Sequence, residues 1–556
     1  MKKVFISLLI LAVLGGLGLW FFGRPAYHRY KEQRSFKQAR AFLEKGDLQN
    51  AALSLRQTLA INPSNVEAAR HMADLAARAQ SPAALAWWRR VAELQPTLQN
   101  KTVLAAVALR FEKPPFPIAT QTLDEIRPMG ETNVAYRLVA AQRAIRLNQS
   151  ADAQMHLQAA ARFEPTNRLH QLNLAVLRLE ARDAAVVEAA QRDLAELTSD
   201  PVLGEHALRS LSAHALRQRR LPEAQTHSER LLALPQATFE DMLHYLTVLD
   251  EAKHAQLPAF IERVQQRAAT NSPQAALAAA WLKTHGRTRE ALVWLGTLPP
   301  TIRDAMPVPL AEAECLAAAR DWTGLEERLD KRDWDELEFL RLAFLARAHR
   351  EQERREVARA SWTRAMNATA ARTEYAAGLV QLAVDWGWTD EAEDLLWVVA
   401  KRALRETWPL QALMRHYKAT TNTLGLYRVH QALFERDSKS LVLKNNLAVY
   451  GLLLNRDVSR AGALAQEVYE AEKTNTFFIS TYAFSLHVRG KSAQGLKLMG
   501  ALPEAELQRP EIATYYAVLL SAAGERDKAQ PYFAAAEKGP MLPEERRLLA
   551  EARAQN

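Results

Sequence analysis

The sequence predicts an all-α chain, a solenoid of stacked helix-turn-helix units behind an N-terminal membrane helix. Three observations lead there. Glycine is scarce, 20 residues of 556, while alanine, leucine, glutamate, glutamine and arginine, which lose least on entering a helix, abound. A small or apolar position recurs along the chain at steps of 32 to 37 residues. Residues 4–22 form one uncharged apolar run. At 556 residues the chain exceeds one compact core and suits several domains or one extended array. With 48% hydrophobic and 24% charged residues it is not a generally disordered chain.

In chain order, residues 1–3 are a short basic tail carrying Lys2 and Lys3. Residues 4–22 follow, nineteen positions in which only Ser7 is polar. At about 1.5 Å per residue such a helix just spans a hydrocarbon core of about 30 Å. Trp20, Phe21 and Phe22 stand where an interfacial aromatic belt belongs. A cleaved signal peptide is the competing reading, but Phe22-Gly23-Arg24-Pro25 offers no small-x-small cleavage site, which favours an uncleaved anchor. Gly15, Gly16 and Gly18 lack the Gly-x-x-x-Gly spacing and read as tolerated small residues. The bilayer is thus an expected partner through residues 4–22, in a single pass of the cell (inner) membrane. Orientation stays open. Arg24, Arg29, Lys31, Arg34, Lys37 and Arg40 favour holding the long C-terminal part in the cytoplasm, whereas the Lys-Lys start resembles an export signal and favours the periplasm. Residues 23–31 read as a juxtamembrane linker.

Beyond the linker the repeats begin. From Ala39 through Gly46-Asp47 and Ala51 to Pro63 the pattern holds two apolar-periodic helices joined at Gly46-Asp47. Pro96 ends the next unit thirty-three residues after Pro63, Pro165 ends a later one, and Gly490 and Gly524 stand thirty-four apart. The recurring position of the second helices runs Ala51, Ala84, Ala119, Ala153, Val187, Ala224, Ala259, Ala291, Leu325, Val357, Ala392, Tyr427, Ala461, Gly495 and Ala529. A matching small position in the first helices falls at Ala39, Ala141, Ser212, Ala279, Ala483 and Ala517, and turn glycines at Gly46, Gly286, Gly387, Gly490 and Gly524. Small residues belong where two helices cross, since a large side chain would hold the backbones apart. Glycine accepts positive φ as the first helix ends, and proline stops the second.

On these residues the chain resembles the tetratricopeptide repeat family, and membrane-anchored bacterial members of it in particular. The resemblance implies a right-handed superhelical solenoid over residues 32–545, about fifteen repeats. The first two and last two units match best. The middle ones are degenerate: Leu325, Val357 and Tyr427 are large for the pattern, and Lys113-Pro114-Pro115-Phe116-Pro117 breaks a helix. Residues 546–556 read as a polar cap and tail on an open-ended stack.

Catalytic motifs are missing. The sequence holds no phosphate-binding glycine loop, no serine nucleophile elbow and no His-Glu-x-x-His pair. His206, His214 and His227 are too widely spaced to ligate one metal. The acidic run from Asp330 to Glu336 lacks the glycine of a calcium loop and carries Lys331 and Arg332. Cys315 is the only cysteine and reads as an inert packed thiol. The net charge of +9 is modest over this length, and the clusters Arg217–Arg220 and Arg350–Arg355 suit helix C-termini, so no nucleic-acid partner is expected. Trp87-Trp88 and Trp386-Gly387-Trp388 read as core. The expectation is a non-enzyme with no catalytic residue, cofactor or metal.

The resemblance also implies where a partner sits, because first helices line the inner surface of such stacks. In the late units that selects Asn446, Tyr450, Phe477, Ser480, Phe484 and His487, a mixture of aromatic and small polar groups suited to an extended peptide or a partner helix. The expected partners are other proteins. The leading expectation is a membrane-anchored scaffold or adaptor, a layout that serves envelope assembly, secretion or polysaccharide export. The alternative is a non-catalytic regulatory subunit of a membrane-bound enzyme complex, distinguished by an activity that co-purifies and is lost when residues 440–530 are removed. An unrecognised enzyme or carbohydrate-binding solenoid would instead show a cleft of carboxylates with strongly shifted pKa values.

Overall fold

The computed structural model describes residues 24–330, 333–404 and 406–554, and every regular element among them is helical. The predicted membrane span, residues 4–22, lies outside the described residues. Among those described, no helix is long and apolar enough to cross a membrane. The stretch read as a linker is helical from Arg24 onward, as part of Arg24–Glu44, because no glycine or proline follows Pro25 until Gly46.

The chain divides into two compact units, Met1–Gln274 and Ala275–Asn556. Seven helical hairpins fill the described part of the first, from Arg24–Glu44 with Leu48–Ile61 to Phe239–Glu251 with Leu257–Ala268. Eight more follow, from Ser272–Thr284 with Thr288–Thr297, whose first turn spans the division, to Pro510–Ala522 with Arg526–Ala536. Short loops join helices that pack side by side, the condition for antiparallel neighbours.

One turn geometry recurs. Gly46 is left-handed (φ 74°); its N–H reaches the Leu43 carbonyl at 3.1 Å, and the Asp47 N–H reaches back to Phe42 at 2.9 Å. Gly286, Gly387, Gly490 and Gly524 repeat that φ. In eight further hairpins a residue with a side chain takes the same pose: Gln80, Asn148, Arg219, Lys253, Arg320, Glu353, Thr421 and Asn455, at φ between 48° and 62°. The turn is therefore more regular than the glycines that first betray it.

The next helix begins equally regularly, with the crossing residue donating its N–H to the cap carbonyl. Ala51 to Asp47, Ala153 to Gln149, Ala291 to Arg287 and Ala529 to Glu525 all do so at 3.0 to 3.2 Å. Bond and burial together correct the sequence register at three units; at Pro117–Gly130 Thr120 makes the bond to Phe116 while Ala119 is the buried residue. Phe260, not the exposed Ala259, bonds to Gln256; Ala358, not Val357, bonds to Arg354; Leu426, not Tyr427, bonds to Asn422. Val357 is 46% exposed, which is tolerable only because it does not stand at the crossing. Ala39, Ala51, Ala84, Ala153 and Ala529 are fully buried, as are the first-helix residues Ala141, Ser212, Ala279, Ala483 and Ala517. Pro63, Pro96 and Pro165 each stand immediately past the C-cap of a second helix, at Asn62, Gln95 and Glu164.

Departures are local. Phe116 is buried and left-handed (φ 54°), with Pro117 opening the helix Pro117–Gly130. An extra turn, Pro300–Arg303, and the short 3-10 segment Asp335–Leu337 widen two connections, the latter beside the buried Trp334. Trp88, Trp362 and Trp388 are core residues. Cys315 is fully enclosed, and burial pushes its thiol up to about 11.

Candidate partner-binding face of the last hairpins

In the second unit the first helices expose one common face. Counting back from each left-handed turn residue identifies it: Ala483 stands seven residues before Gly490, Ala517 seven before Gly524, and Ala448 seven before Asn455. Asn446 and Tyr450 are therefore each one residue past the equivalents of Ser480 and Phe484, which are Asn445 and Val449. The register shifts because Asn455 and Ala461 are six residues apart, one more than Gly490 and Gly495 or Gly524 and Ala529, with Asp457 also left-handed, so that counting back from Ala461 lands one residue late.

The six expected residues divide. Phe477 is 41% exposed, with the Arg509 guanidinium 4.7 Å from its ring centre. Ser480 (3% exposed) and Phe484 (2%) are enclosed instead of lining an open groove, and the Ser480 hydroxyl has no hydrogen-bond partner. The Phe484 ring lies 4.7 Å from that of Tyr515. His487 is half-buried, its Nδ1 3.0 Å from the Ser492 hydroxyl, and burial holds it below the ordinary histidine range. Asn446 donates from Nδ2 to His430 Nε2 at 3.3 Å, since His430 spends its Nδ1–H on the Leu426 carbonyl at 2.9 Å. Burial likewise holds His430 below its ordinary range, in the neutral form those bonds require. The half-buried Tyr450 ring lies 5.0 Å from His430, and burial, helped by the Glu545 carboxylate, pushes its phenol up to about 12.

What encloses this face is the end of the chain. After Arg526–Ala536 the segment Lys538-Gly539-Pro540 turns back, and the helix Pro543–Ala554 lays Leu549 and Ala552 on Pro510–Ala522. Leu542 packs into the cluster of Leu410, Leu413, Tyr417, Leu426 and Val429, two hairpins beyond its neighbours at Phe484. Glu544 accepts from the Thr423 hydroxyl, 121 residues earlier, and Glu545 accepts from Tyr515 at 2.7 Å and from the Leu542 N–H at 2.8 Å. Burial of Tyr515 beside that carboxylate pushes its phenol well above the usual tyrosine value. Residues 546–554, the described part of the expected polar cap 546–556, pack on the first helix of the last hairpin, Pro510–Ala522.

The covering stops at the hairpin of Trp408–Ala419 and Thr423–Arg436, where it touches Thr423 and the Leu410–Val429 cluster but leaves the outward residues of the first helix free. Equivalent residues of Thr373–Asp385 (Ala377, Gln381, Val384) and Trp408–Ala419 (Gln411, Arg415, Lys418) are exposed, whereas Thr514, Val518 and Ser521 are buried like Ser480 and Phe484. Thr423, His430, Tyr515 and the terminal carboxylates were not anticipated; the only sequence signal was Leu542-Pro543-x-Glu545, a helix start whose third residue returns to its cap. Among the described residues no three His, Cys, Asp or Glu side chains gather as a metal site, and His206 is exposed while His214 is buried.

Stacked hairpins with small crossing residues, left-handed turns and a shared first-helix face define a TPR-like helical-repeat fold. No protein-family model matches the chain, and no curated protein does. Among solved structures it is similar to the Cut9–Hcn1 hetero-tetramer of the APC/C, at 12% identity and TM-score 0.29, over 96% of this chain and 99% of that one. It is also similar to Naa15/Naa10 bound to HypK-THB, at 16% identity and TM-score 0.26, over 91% of this chain and 75% of that one. At such scores the class rests on the hairpin geometry itself.

Proposed function

We propose that this chain is a non-catalytic scaffold that binds other proteins along the first-helix face of its hairpins. The observation that carries the reading is the exposed row Ala377, Gln381, Val384, Gln411, Arg415 and Lys418, presented by rigidly packed helices. A preformed face of alternating apolar and polar side chains binds a helix or extended segment without a large ordering cost. Photo-crosslinking amino acids at Gln381 and Gln411 should yield discrete protein adducts in cells, and one at Arg359, exposed on a second helix, should not. Failure at the first two sites, or equal labelling at all three, removes the reading.

Anchoring through residues 4–22 and service in envelope assembly, secretion or polysaccharide export extend the proposal. The apolar run supports the first and the resemblance of layout the second. Recovery of the full chain in a carbonate-resistant membrane pellet is expected; recovery in the supernatant sinks the anchor while leaving the scaffold.

A further inference from the structure

The covered part of the face is informative because its cover is a segment of known sequence. Residues 540–552 touch the hairpins as a docked helix would. Leu542 fills an apolar pocket, two adjacent carboxylates meet hydroxyls of Thr423 and Tyr515, and Leu549 and Ala552 seat on one helix. The opposite side of the helix carries Arg546, Arg547, Glu551 and Arg553, all exposed. Gly539 marks the departure from the last hairpin: a β-carbon there would lie 2.6 Å from Pro510. The pattern, apolar residues on one helical stripe facing a groove, is that of helix-in-groove recognition.

We propose that the face built from Leu413, His430, Tyr450, Phe484 and Tyr515 is a helix-binding site held in cis by residues 540–552. Its partner in trans is an amphipathic helix of the same chemistry: an apolar N-cap residue, two carboxylates in the first turn, and apolar residues one turn further on. This rests on the scaffold reading and names the class of partner for one part of the surface. The groove selects that chemistry. The hydroxyls of Thr423 and Tyr515 can donate to carboxylates, and the buried His430 is spent on Leu426 and Asn446 and adds no competing charge. A basic helix would leave those donors facing cations. Tethering gives the cis segment an effective concentration on the order of millimolar, so a partner of equal intrinsic affinity binds only the released fraction.

The test uses the full chain and a fluorescent peptide of residues 538–556. In the Glu544→Lys/Glu545→Lys chain the cis contact is reversed in charge while the groove is untouched. The wild-type peptide should bind that variant at least tenfold more tightly than the wild-type chain, and a peptide bearing both lysines should bind neither. Equal affinities for the two chains, or no binding to the variant, overturns the proposal. Hydrogen exchange guards against misfolding. In the wild type, amides of Pro543–Ala554 should exchange at least tenfold faster than those of Pro510–Ala522, and Tyr515→Phe should speed the former alone; exchange of both helices as one unit also overturns it. Crosslinks from Gln381 and Gln411 report on the scaffold reading whichever way this falls.

Discussion

The carbonyl oxygen of Ala483 lies 2.6 Å from where a β-carbon on Gly495 would stand. The two helices of this hairpin cross in near backbone contact, and Leu519 of the next hairpin closes the site from the other side at 3.1 Å. Gly495→Val should therefore cost about 1–3 kcal/mol, the range for overpacking a tight core. The midpoint of urea unfolding checks it. An unchanged midpoint would mean that the helices can part without penalty.

Two glycines of one hairpin should respond in opposite directions to alanine. Both leave open space around a β-carbon, but Gly387 is left-handed (φ 73°) and Gly378 lies within the helix Thr373–Asp385. Gly387→Ala should destabilise by about 1 kcal/mol through its backbone alone. Gly378→Ala should stabilise by roughly 0.5–1 kcal/mol, since glycine is the poorer helix former. Thermal midpoints of the two variants should move apart.

Asp241 anchors a pH-dependent contact. Burial alone would raise its carboxyl, but Arg209, at 2.7 and 2.9 Å, and the Thr238 cap donors together hold it below the ordinary value. A depressed folded value means stability present above the unfolded pKa of about 3.9 and lost as pH falls through the folded one. Asp241→Asn should cost about 2 kcal/mol at pH 7, discounted because Arg209 is half exposed, and the deficit should shrink below about pH 4. Thermal unfolding of both proteins between pH 7 and 3 measures this; a deficit constant over that range refutes the ion-pair account.

His430 should make its region acid-sensitive at milder pH. Burial keeps it neutral in the fold, so the unfolded chain binds the proton more readily, and stability falls as pH drops below about 6.5. His430→Gln keeps a donor for the Leu426 carbonyl but does not titrate. Hydrogen exchange in Leu441–Leu453 should rise between pH 7 and 5 in the wild type and rise less in the variant.

The hairpins were legible in the sequence because their cause is local: apolar period, turn and small crossing residue all lie within one unit. The register slipped where the turn kept its geometry without its glycine. Lys253, Glu353 and Thr421 carry the left-handed pose before Phe260, Ala358 and Leu426, and those are the three crossing residues that were misplaced. Large residues fit there when a neighbour yields, as at Leu426, where the Tyr417 ring lies 2.4 Å from the β-carbon position of Gly425. A different cause put Asn446 and Tyr450 forward in place of Asn445 and Val449: the turn from Asn455 to Ala461 holds one residue more than its counterparts. That Ser480 and Phe484 are covered had no local sign, because the cover arrives from more than fifty residues away and reaches Thr423 only through the packing of the intervening hairpins.

Cys315 gives the chain a practical property. With one thiol in 556 residues, fully enclosed and held at about 11, the native protein is silent to maleimide at neutral pH. A cysteine introduced at Gln381 or Gln411 would be the sole site to take a dye, so distance changes along the unit could be followed by fluorescence without first stripping the background.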